Sequence, residues 1–423
     1  MPQRVLFLAK SWPVYGGVER WLVDLVVGLD LLGYECTLAL AEGNRFHQPQ
    51  SFFLAYPELA NVRVVHLDGT SGSPTGNRLA VARLLHETQP DVVLPVLLAD
   101  GLVAAAANKD ALGYRLIYAV HELCAGVRRD IQAYGDRMDA LVFVDESGRA
   151  EYRDVCMPHA DRIVVLPCGV PPAAFPRQHI ASGEIRIGVC GRIEQTQKRV
   201  LDVVPICAHL ASKGVDFSLK IVGDGSAAGE LESALTPLFR LNTLSCSSAV
   251  SRDELYNSFY PCIDALLITS EGETGPLVAL EAMMNRCLVV TSDFRGRSAN
   301  ALLVSDETCR VFPVGDAAAA AGEIEWAASH RAEMMRIAAN GAALAASTRE
   351  LSSMVRKWNE LISQVLALSP VGLGSPAVAN VIGSSRLEAI GIPAPLAERI
   401  RRLARRKFVH AYPGQEWPHY VQF

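Results

Sequence analysis

Two glutamates eight residues apart carry the strongest chemical signal in this chain. Glu273 lies in a polar loop after the apolar run DALLIT, and Glu281 lies in the apolar segment that follows Pro276. Apolar residues surround Glu281 at helical spacing, which predicts a buried helix whose first position is Pro276, a residue without an N–H. A carboxylate on a buried helix is costly without partners, so Glu281 is predicted to face a polar cavity or the hydroxyl groups of a ligand.

The same two glutamates also have an ordinary structural explanation. Glu273 would be an acidic residue near a helix N-terminus, and Glu281 would form a salt bridge inside the protein. For an isolated pair of glutamates that explanation is the better one. The free N–H groups and the dipole of the predicted helix would nevertheless favour a phosphate at the same place.

A second polar cluster lies upstream and favours the functional interpretation. Arg192 follows the strand-like run IRIGVCG, and Lys198 and Arg199 precede the helical pattern VLDVVPICAHLASKG. Cations at a helix start oppose the helix dipole by about 0.3–1 kcal/mol per charge, so we expect a negative group to compensate them. The planar fork of arginine and the mobile charge of lysine together suit a diphosphate. Solvated surface charges are the alternative, which is reasonable for Arg199 and weaker for Arg192.

Together with three further segments, these residues resemble the family 4 glycosyltransferases of the GT-B fold. The residues lie in VCGRIEQTQKR and ETGPLVALE, and the further segments are FLAKSWPVYGGVERW, the dipeptide His121-Glu122 after RLIYAV, and the turn KIVGDGS. The resemblance runs in one order from about residue 4 to residue 365. The resemblance implies an α/β protein with two Rossmann-like, doubly wound parallel-sheet domains that face a central cleft. It also implies a retaining hexosyltransferase that moves a sugar from a nucleotide-diphosphate sugar to an acceptor hydroxyl.

The resemblance assigns roles to individual residues. Glu281 would hydrogen-bond the ribose of the donor, Arg192 and Lys198 would hold its diphosphate, and Glu273 would contact the donor sugar. His121 would lie over the reacting sugar; a single histidine after a strand is otherwise more often structural. The remaining donor-binding positions are Gly16, Gly17, Gly191, Gly223, Gly275, Leu277 and Val278, and the weaker acceptor-side candidates are Glu19, Arg128 and Arg129.

Two of these assignments have a physical reason of their own. Gly16 and Gly17 precede the first helix, where a missing side chain lets the backbone approach phosphates, although a Gly-Gly pair before a helix is often only a turn. Leu277 and Val278 would supply the N–H groups that Pro276 lacks. No D-x-D motif occurs, so we expect a metal-independent site without a cofactor.

The pattern of strands and helices divides the chain into residues 1–170, a proline-rich linker at 171–184, residues 185–350 and a further helix at 351–368. The resemblance implies that the first part is the acceptor domain, that the second is the donor domain, and that the helix crosses back to the first domain. The first helix, Val18 to Leu32, is expected to bury its apolar face. In the second half we predict strands at IRIGVC, SLKIV, DALLIT, CLVVT and ALLV, and one alanine-rich helical segment over 316–347.

Composition excludes some classes of protein. The 423 residues carry 40 basic and 45 acidic side chains, a net charge of −5, so no basic field indicates a nucleic-acid partner. The ten cysteines are scattered without a C-x-x-C pair, which is typical of a reducing compartment. No apolar run is long enough for a signal peptide or a membrane span, and the protein is therefore expected to be cytoplasmic.

The tail, 369–423, lies outside the resemblance and is interpreted as a linker followed by a basic helix, Leu396 to Lys407. Docking of this helix on the body or on a partner subunit is one interpretation. Peripheral contact with an anionic membrane surface is the other, and it would suit a lipid-linked rather than a free carbohydrate acceptor. Synthesis of a cell-envelope polysaccharide or glycolipid would follow.

Three other functions stay open from the residues alone. Gly223-Asp224-Gly225 after an apolar run is a dinucleotide-like signal that keeps an oxidoreductase possible, although no acidic strand end follows about 20 residues later. A nucleotide-sugar epimerase or a phosphorylase-like enzyme could use the same fold, as could a non-catalytic binding protein. His121-Glu122 lacks the second histidine of H-E-x-x-H, which argues against a zinc protease.

Overall fold

Two parallel β-sheets, one in each half of the chain, form the framework of the protein. The computed structural model describes residues 2–11, 15–42, 49–69, 71–173, 183–239, 243–371, 387 and 390–406. The first sheet has the strand order β3-β2-β1-β4-β5-β6-β7 and the second has the order β10-β9-β8-β11-β12-β13. This arrangement confirms the predicted α/β class with two doubly wound sheets.

The strands of the first sheet are β1 (Arg4–Ala9), β2 (Glu35–Glu42), β3 (Arg63–Asp68), β4 (Val92–Val96), β5 (Arg115–Val120), β6 (Ala140–Phe143) and β7 (Ile163–Val165). Those of the second are β8 (Ile185–Cys190), β9 (Phe217–Val222), β10 (Leu244–Ser247), β11 (Ala265–Ile268), β12 (Leu288–Ser292) and β13 (Arg310–Phe312). The central strands are buried along their whole length, as in β4 and β11, because helices cover both faces of a parallel sheet.

Helices connect the strands of the first sheet: α1 (Gly17–Leu31), α2 (Pro49–Ala55), α3 (Pro74–Thr88), α4 (Ala99–Leu112), α5 (Ala125–Tyr134), α6 (Glu146–Glu151) and α7 (Arg153–Cys156). The second half contains α8 (Val203–Ser212), α9 (Ala228–Leu235), α10 (Arg252–Glu254), α11 (Leu277–Met284), α12 (Ala317–Ser329), α13 (Arg331–Thr348), α14 (Leu351–Ala367) and α15 (Ala394–Leu403). In the described part of the chain, no helix combines the length and the apolar character needed to span a membrane.

The order of strands in each sheet reverses beside its first strand. The chain builds outward from β1 to β3 and then returns to place β4 on the other side of β1; β8 and β11 repeat this pattern. Ligands of such sheets bind at the carboxyl ends of the strands that flank the reversal. In the second sheet these ends lead into the loops that carry Arg192 and Glu273.

The structure corrects three details predicted from the sequence. The segment ALLV, residues 301–304, forms a turn instead of a strand. Leu302 and Leu303 are buried in this turn, so the apolar run reflects burial and not a strand. The alanine-rich segment 316–347 is two helices that meet at His330. Leu32 follows the last residue of α1 and is 53% exposed, since the chain turns away at Gly33.

Two strands were not predicted at all. Leu244–Ser247 forms the edge strand β10, whose half-polar sequence LSCS is largely exposed. Arg310–Phe312 forms the short strand β13 beside β12. Neither has the continuous apolar run that marks a buried strand.

Helix α14 follows the second sheet but packs against α1 of the first. Gly28 of α1 lies directly against Val355 of α14, where an added Cβ would come within 2.5 Å of the Val355 Cγ2 atom. Trp358 of α14 is fully buried, and its ring lies 5.6 Å from that of Trp21 on α1. This contact fixes the end of the second half of the chain onto the first half.

Helix α15 docks on the body through its polar side. Glu398 is 2% exposed and accepts hydrogen bonds from the Ser71 and Ser73 hydroxyls, both at 2.5 Å, and from the Ser71 N–H. These groups precede α3, so the Glu398 carboxylate lies at the N-terminus of that helix, where its charge is favoured. The aliphatic side chains of Leu396, Ile400 and Leu403 point away from the body and are 50%, 37% and 80% exposed.

We predict that Gly28→Ala loosens the packing of α14 on α1. The new methyl group collides with a stiff β-branched side chain, and such overpacking costs about 1–3 kcal/mol, more than the gain of about 1 kcal/mol in helix propensity. Thermal unfolding should therefore begin at a lower temperature than in the wild type.

Gly322→Ala in α12 is the matched control, because nothing lies within 4 Å of the added Cβ. It should be neutral or stabilising. Val355→Ala combined with Gly28→Ala should recover part of the loss. Equal melting curves for Gly28→Ala and Gly322→Ala would contradict the packing described for α1 and α14.

Candidate functional site

The loops that leave β8 and β11 meet in a direct ionic contact. The Lys198 ammonium group donates a hydrogen bond to the Glu273 carboxylate at 2.6 Å, and the Ser270 hydroxyl donates to the same carboxylate oxygen at 2.5 Å. Glu273 is 7% exposed. The structure therefore brings together a cation and a carboxylate that the sequence separates by 75 residues.

Gln197 connects Arg192 to the second loop. Its side-chain oxygen accepts a hydrogen bond from the Arg192 guanidinium group at 2.6 Å, and its side-chain nitrogen donates to the Gly272 carbonyl at 2.9 Å. The Glu194 carboxylate accepts from the backbone N–H groups of Gln197 and Lys198. The cations are thus held in place before any ligand binds. The sequence did not single out Gln197, because a glutamine in a polar loop carries no periodic signal.

Glycines allow the backbone around this loop to pack closely. Gly191 and Gly223 both have positive φ angles, 134° and 154°. A Cβ at Gly223 would lie 1.9 Å from the Gly191 carbonyl oxygen, and one at Gly225 would lie 2.1 Å from that of Ile193. The Gly-Asp-Gly motif that suggested a dinucleotide site thus has a packing function next to the Arg192 loop. Binding of a donor by Gly191 or Gly223 stays a prediction.

Helix α11 carries the second glutamate of the pair. The helix begins at Leu277, and Pro276 is its N-cap, with an extended backbone. The sequence had predicted Pro276 as the first helical residue, so the helix starts one position later than predicted. Since the first N–H groups of a helix have no partners within it, those of Leu277 and Val278 face the start of the helix. Gly275, with φ of 74°, turns the chain just before this point.

Glu281 is buried as predicted, but a neighbouring phenol occupies one of its oxygens. It is 4% exposed, and the Tyr260 hydroxyl donates a hydrogen bond to it at 2.7 Å. Burial raises the pKa of Glu281 to about 7, although the Tyr260 hydrogen bond and the Arg252 charge act to lower it. Tyr260 gave no signal in the sequence, because its partner lies 21 residues away.

The charges of Glu281 and Lys198 both act on the half-buried Cys190 thiol. Burial raises the pKa of Cys190, the Glu281 charge raises it further, and the Lys198 charge lowers it. Both charged groups are therefore close to the Cys190 side chain. The two sites predicted separately from the sequence lie in one region at the carboxyl end of the second sheet.

Three contacts bring the first half of the chain against the start of α11. The Thr274 hydroxyl donates to the His121 carbonyl at 2.6 Å. A Cβ at Gly17 would lie 3.7 Å from Leu277, and one at Gly275 would lie 3.7 Å from the Asp145 carboxylate. The Gly16-Gly17 turn, which is the N-cap and first residue of α1, therefore faces the start of α11.

His121 is a buried, neutral imidazole. It is 7% exposed, its ring lies 4.2 Å from that of Trp21, and burial lowers its pKa to about 3. Among the described residues, its Nε2 atom has no hydrogen-bond partner. A ligand hydroxyl could satisfy this atom without meeting a charge.

Asp145, at the N-cap of α6, was missed by the sequence reasoning. One carboxylate oxygen accepts hydrogen bonds from Ser147 and from the Gly148 N–H, whereas the other is buried without a partner in the part of the chain described here. Burial raises its pKa. Its position directly after the apolar run DALVFV was the available signal.

The acceptor-side candidates differ in position. Glu19 is 5% exposed, burial raises its pKa, and the charges of Lys10, which follows β1, and of Arg192, in the second half, lower it. Arg128 contacts Asp154 and the Tyr152 ring in its own half of the chain, and Arg129 is half-buried in α5. Roles for all three residues stay predictions.

Among the residues that the structure describes, no set of three or more histidine, cysteine, aspartate or glutamate side chains could hold a metal ion. All ten cysteines are free thiols.

We predict that the burial of Glu281 makes stability depend on pH. Its folded-state pKa lies above the ordinary value, so the folded protein binds this proton more tightly, and stability falls as pH rises from about 4.5 to about 7. Glu281→Gln removes the titration but keeps an acceptor for Tyr260. Its free energy of unfolding relative to the wild type should rise between pH 5 and pH 8, by an amount on the order of 2 kcal/mol. Melting curves at each pH measure this difference.

Glu325→Gln is the control for this measurement. Glu325 forms an exposed salt bridge with Lys213, so its replacement should give a nearly constant difference over the same pH range. A constant difference for Glu281→Gln as well would mean that Glu281 is charged in the folded protein at pH 5.

Comparisons with known families agree with this architecture. Residues 15–174 match Glycosyltransferase Family 4, and residues 184–330 match Glycosyl transferases group 1. The two matches cover every strand of the two sheets except β1, together with the site residues described above. No curated protein is similar enough in sequence to match.

Solved structures show the same fold at low sequence identity. The structure of Anabaena HepE in complex with UDP and glucose is 16% identical, with a TM-score of 0.69 over 86% of this chain and 100% of that one. Sucrose-phosphate synthase from Thermosynechococcus elongatus is 15% identical, with a TM-score of 0.71 over 86% and 99%. The lipopolysaccharide outer core galactosyltransferase WaaB is 16% identical, with a TM-score of 0.61 over 86% and 99%.

The two family matches, in the same order as the two sheets, agree with the resemblance drawn from the motifs, and the fold is that of the GT-B structures. The chain belongs to the family 4 glycosyltransferases and is a glycosyltransferase of the GT-B fold.

Proposed function

We propose that the protein transfers a sugar from a nucleotide-diphosphate sugar to an acceptor hydroxyl with retention of configuration. One observation carries the proposal: Lys198, Arg192 and Glu273 converge at the strand reversal of the second sheet, beside the N-terminus of α11. A nucleotide sugar has a part for each of these groups. Its diphosphate would bind the cations, its sugar would contact Glu273, and its ribose would bind the buried Glu281.

In this proposal, Arg192 and Lys198 bind the diphosphate, assisted by the N–H groups of Leu277 and Val278. Glycosyl transfer leaves a nucleoside diphosphate on which negative charge grows as the bond breaks. Fixed cations stabilise that charge most when it is largest, so they lower the barrier rather than only tightening binding. The contact network of Gln197 and Glu194 holds these cations ready. We assign the neutralising charge to them and not to a metal ion.

Glu273 and His121 are proposed to contact the transferred sugar from opposite sides. Glu273 comes from the donor half, and His121 lies on the acceptor half with an unpartnered Nε2 among the described residues. A neutral imidazole hydrogen-bonds a sugar hydroxyl without adding charge beside the cation-like anomeric carbon. Attack from the same face, with the leaving phosphate taking the acceptor proton, would retain the configuration.

UDP is the first nucleotide to test. Anabaena HepE has been solved in complex with UDP, with UDP and glucose, and with UDP-glucose. A thermal-shift screen with nucleotide sugars would identify the donor, and product formation without an acceptor would indicate an epimerase instead.

We predict that Lys198→Ala and Arg192→Ala each lower turnover by about 10²-fold or more, because each removes a charge that stabilises the leaving diphosphate. Release of nucleoside diphosphate from the stabilising donor measures this, with and without EDTA. Lys213→Ala removes a lysine from a half-exposed surface pair and is the matched control.

Full activity in both site variants would contradict the assignment of the diphosphate. Loss of activity in EDTA would contradict a metal-independent reaction. Unchanged melting temperatures would show that the losses do not come from unfolding.

A lipid-linked acceptor is part of this proposal, and the orientation of α15 supports it. The exposed side of this helix combines Leu396, Ile400 and Leu403 with the exposed arginines 399 and 402, and the exposed arginines 405 and 406 follow in the turn after the helix, which ends at Leu403 and not at the predicted Lys407. An aliphatic stripe flanked by cations is the surface that binds an anionic membrane. The chain as a whole has a net charge of −5, so this basic surface is local. Glu398 holds it in a fixed orientation on the acceptor half, which would place the enzyme at the inner face of the membrane.

We predict that the protein sediments with vesicles that contain phosphatidylglycerol and not with neutral phosphatidylcholine vesicles. Replacing the four exposed arginines of the tail helix and the turn after it by glutamine should weaken binding at least about tenfold, since each cation contributes about 1 kcal/mol near an anionic surface. Lys213→Gln combined with Arg336→Gln is the control for loss of surface charge elsewhere. Equal binding to anionic and neutral vesicles, and equal binding by the wild type and the variant without the four arginines, would contradict a membrane-binding surface on α15.

A further inference from the structure

One short segment of the donor half makes three contacts. It touches the acceptor half, the chain between the two sheets, and the predicted ribose site at Glu281. It spans residues 251–262 and consists of α10, a π-helical turn at Leu255–Phe259 and a 3₁₀ turn at Tyr260–Cys262. Arg252, Tyr256 and Tyr260 are spaced four residues apart along it. Single π-helical turns are rare and occur frequently at functional sites.

The beginning of the segment is tied to the acceptor half. Arg252 donates two hydrogen bonds to Asp24 of α1, at 2.6 and 2.9 Å. Arg20, on the preceding turn of α1, donates to the same carboxylate at 2.7 Å. The Asp24 side chain is only 4% exposed. This bidentate pair is geometrically specific, and separation of the two halves would leave Asp24 buried with one cation less.

The end of the segment is tied to the ribose site. The Tyr260 hydroxyl donates to Glu281 at 2.7 Å, and the Tyr260 ring is fully buried. This hydrogen bond fixes one carboxylate oxygen and so determines where the other points. Tyr260 is therefore a positioning residue for Glu281.

The middle of the segment is tied to the chain between the two sheets. The Tyr256 hydroxyl donates to the Pro171 carbonyl at 3.0 Å. The Tyr256 and Tyr260 rings pack edge to face, 5.7 Å apart at 88°. Any rotation of the two halves about residue 171 must therefore move or break this contact.

We propose that segment 251–262 couples occupation of the ribose site at Glu281 to closure of the two halves, with Arg252 and Tyr260 as positioning residues. The inference rests on the proposed function for the identity of the ligand at Glu281. Closure forms the Arg252–Asp24 pair, which orients the segment and with it Tyr260 and Glu281. By reciprocity, a nucleotide that prefers this orientation of Glu281 favours the closed pair.

The coupling is tested with UDP binding, measured by calorimetry, and with small-angle X-ray scattering of the free protein. Arg252→Gln, which removes the hydrogen bonds to Asp24 of α1, should bind UDP 5- to 150-fold more weakly, and its radius of gyration without ligand should be larger than that of the wild type. Arg252→Lys keeps the charge and should recover part of both changes. Arg310→Gln, which breaks pairs with Glu323 and Asp306 inside the donor half, is the matched control.

A double-mutant cycle separates coupling from local damage. Tyr260→Phe alone should weaken UDP binding, and Tyr260→Phe combined with Arg252→Gln should lose less than the product of the two single losses. Independent effects would multiply.

Two outcomes overturn the coupling. Arg252→Gln could bind UDP like the wild type while Lys198→Ala binds it more weakly, which would refute the coupling and leave the proposed function intact. Losses that simply multiply would assign Arg252 and Tyr260 to separate roles. Unchanged binding in both Arg252→Gln and Lys198→Ala would instead contradict the nucleotide site itself.

Discussion

The ion pair between Lys198 and Glu273 joins the two loops on which the site depends. Each loop leaves a strand that flanks the reversal in the second sheet, so the fold brings them to the same edge. The pair is mostly shielded from water, and Ser270, Gln197 and Glu194 supply further hydrogen bonds around it. A charge pair with such support is held in one geometry, which is what a site for a charged leaving group requires.

The electrostatics of the cleft follow from burial more than from net charge. Burial raises the pKa values of Glu19, Asp145 and Glu281 and lowers that of His121. Burial therefore disfavours the charged form of each of these four groups, whereas Arg192 and Lys198 are the cations of the neighbouring loop. In the proposed function, the diphosphate would bind at these two cations, and the first half of the chain would contribute the neutral imidazole of His121.

The sequence predicted the parts of the fold and site that depend on local signals. Apolar runs marked the buried strands, and residues directly after them, such as Arg192 and Glu273, lie at the carboxyl ends where ligands bind. Contacts between distant loops gave no such signal, so Gln197 and Tyr260 were missed. Hydrophobicity also misled where a turn is buried, as at residues 301–304. In the tail helix, the sequence could not show that a single carboxylate, Glu398, turns the polar side inward and leaves the aliphatic side exposed.

The central claim is that the cations of one loop and the glutamates of the next bind a single nucleotide sugar. A crystal structure of the protein with the donor that stabilises it tests this claim most directly. We expect the diphosphate within hydrogen-bond distance of Arg192 and Lys198, and the ribose hydroxyls at Glu281. A nucleotide bound elsewhere, or one that leaves the Lys198–Glu273 pair without contact to phosphate or sugar, would contradict the account.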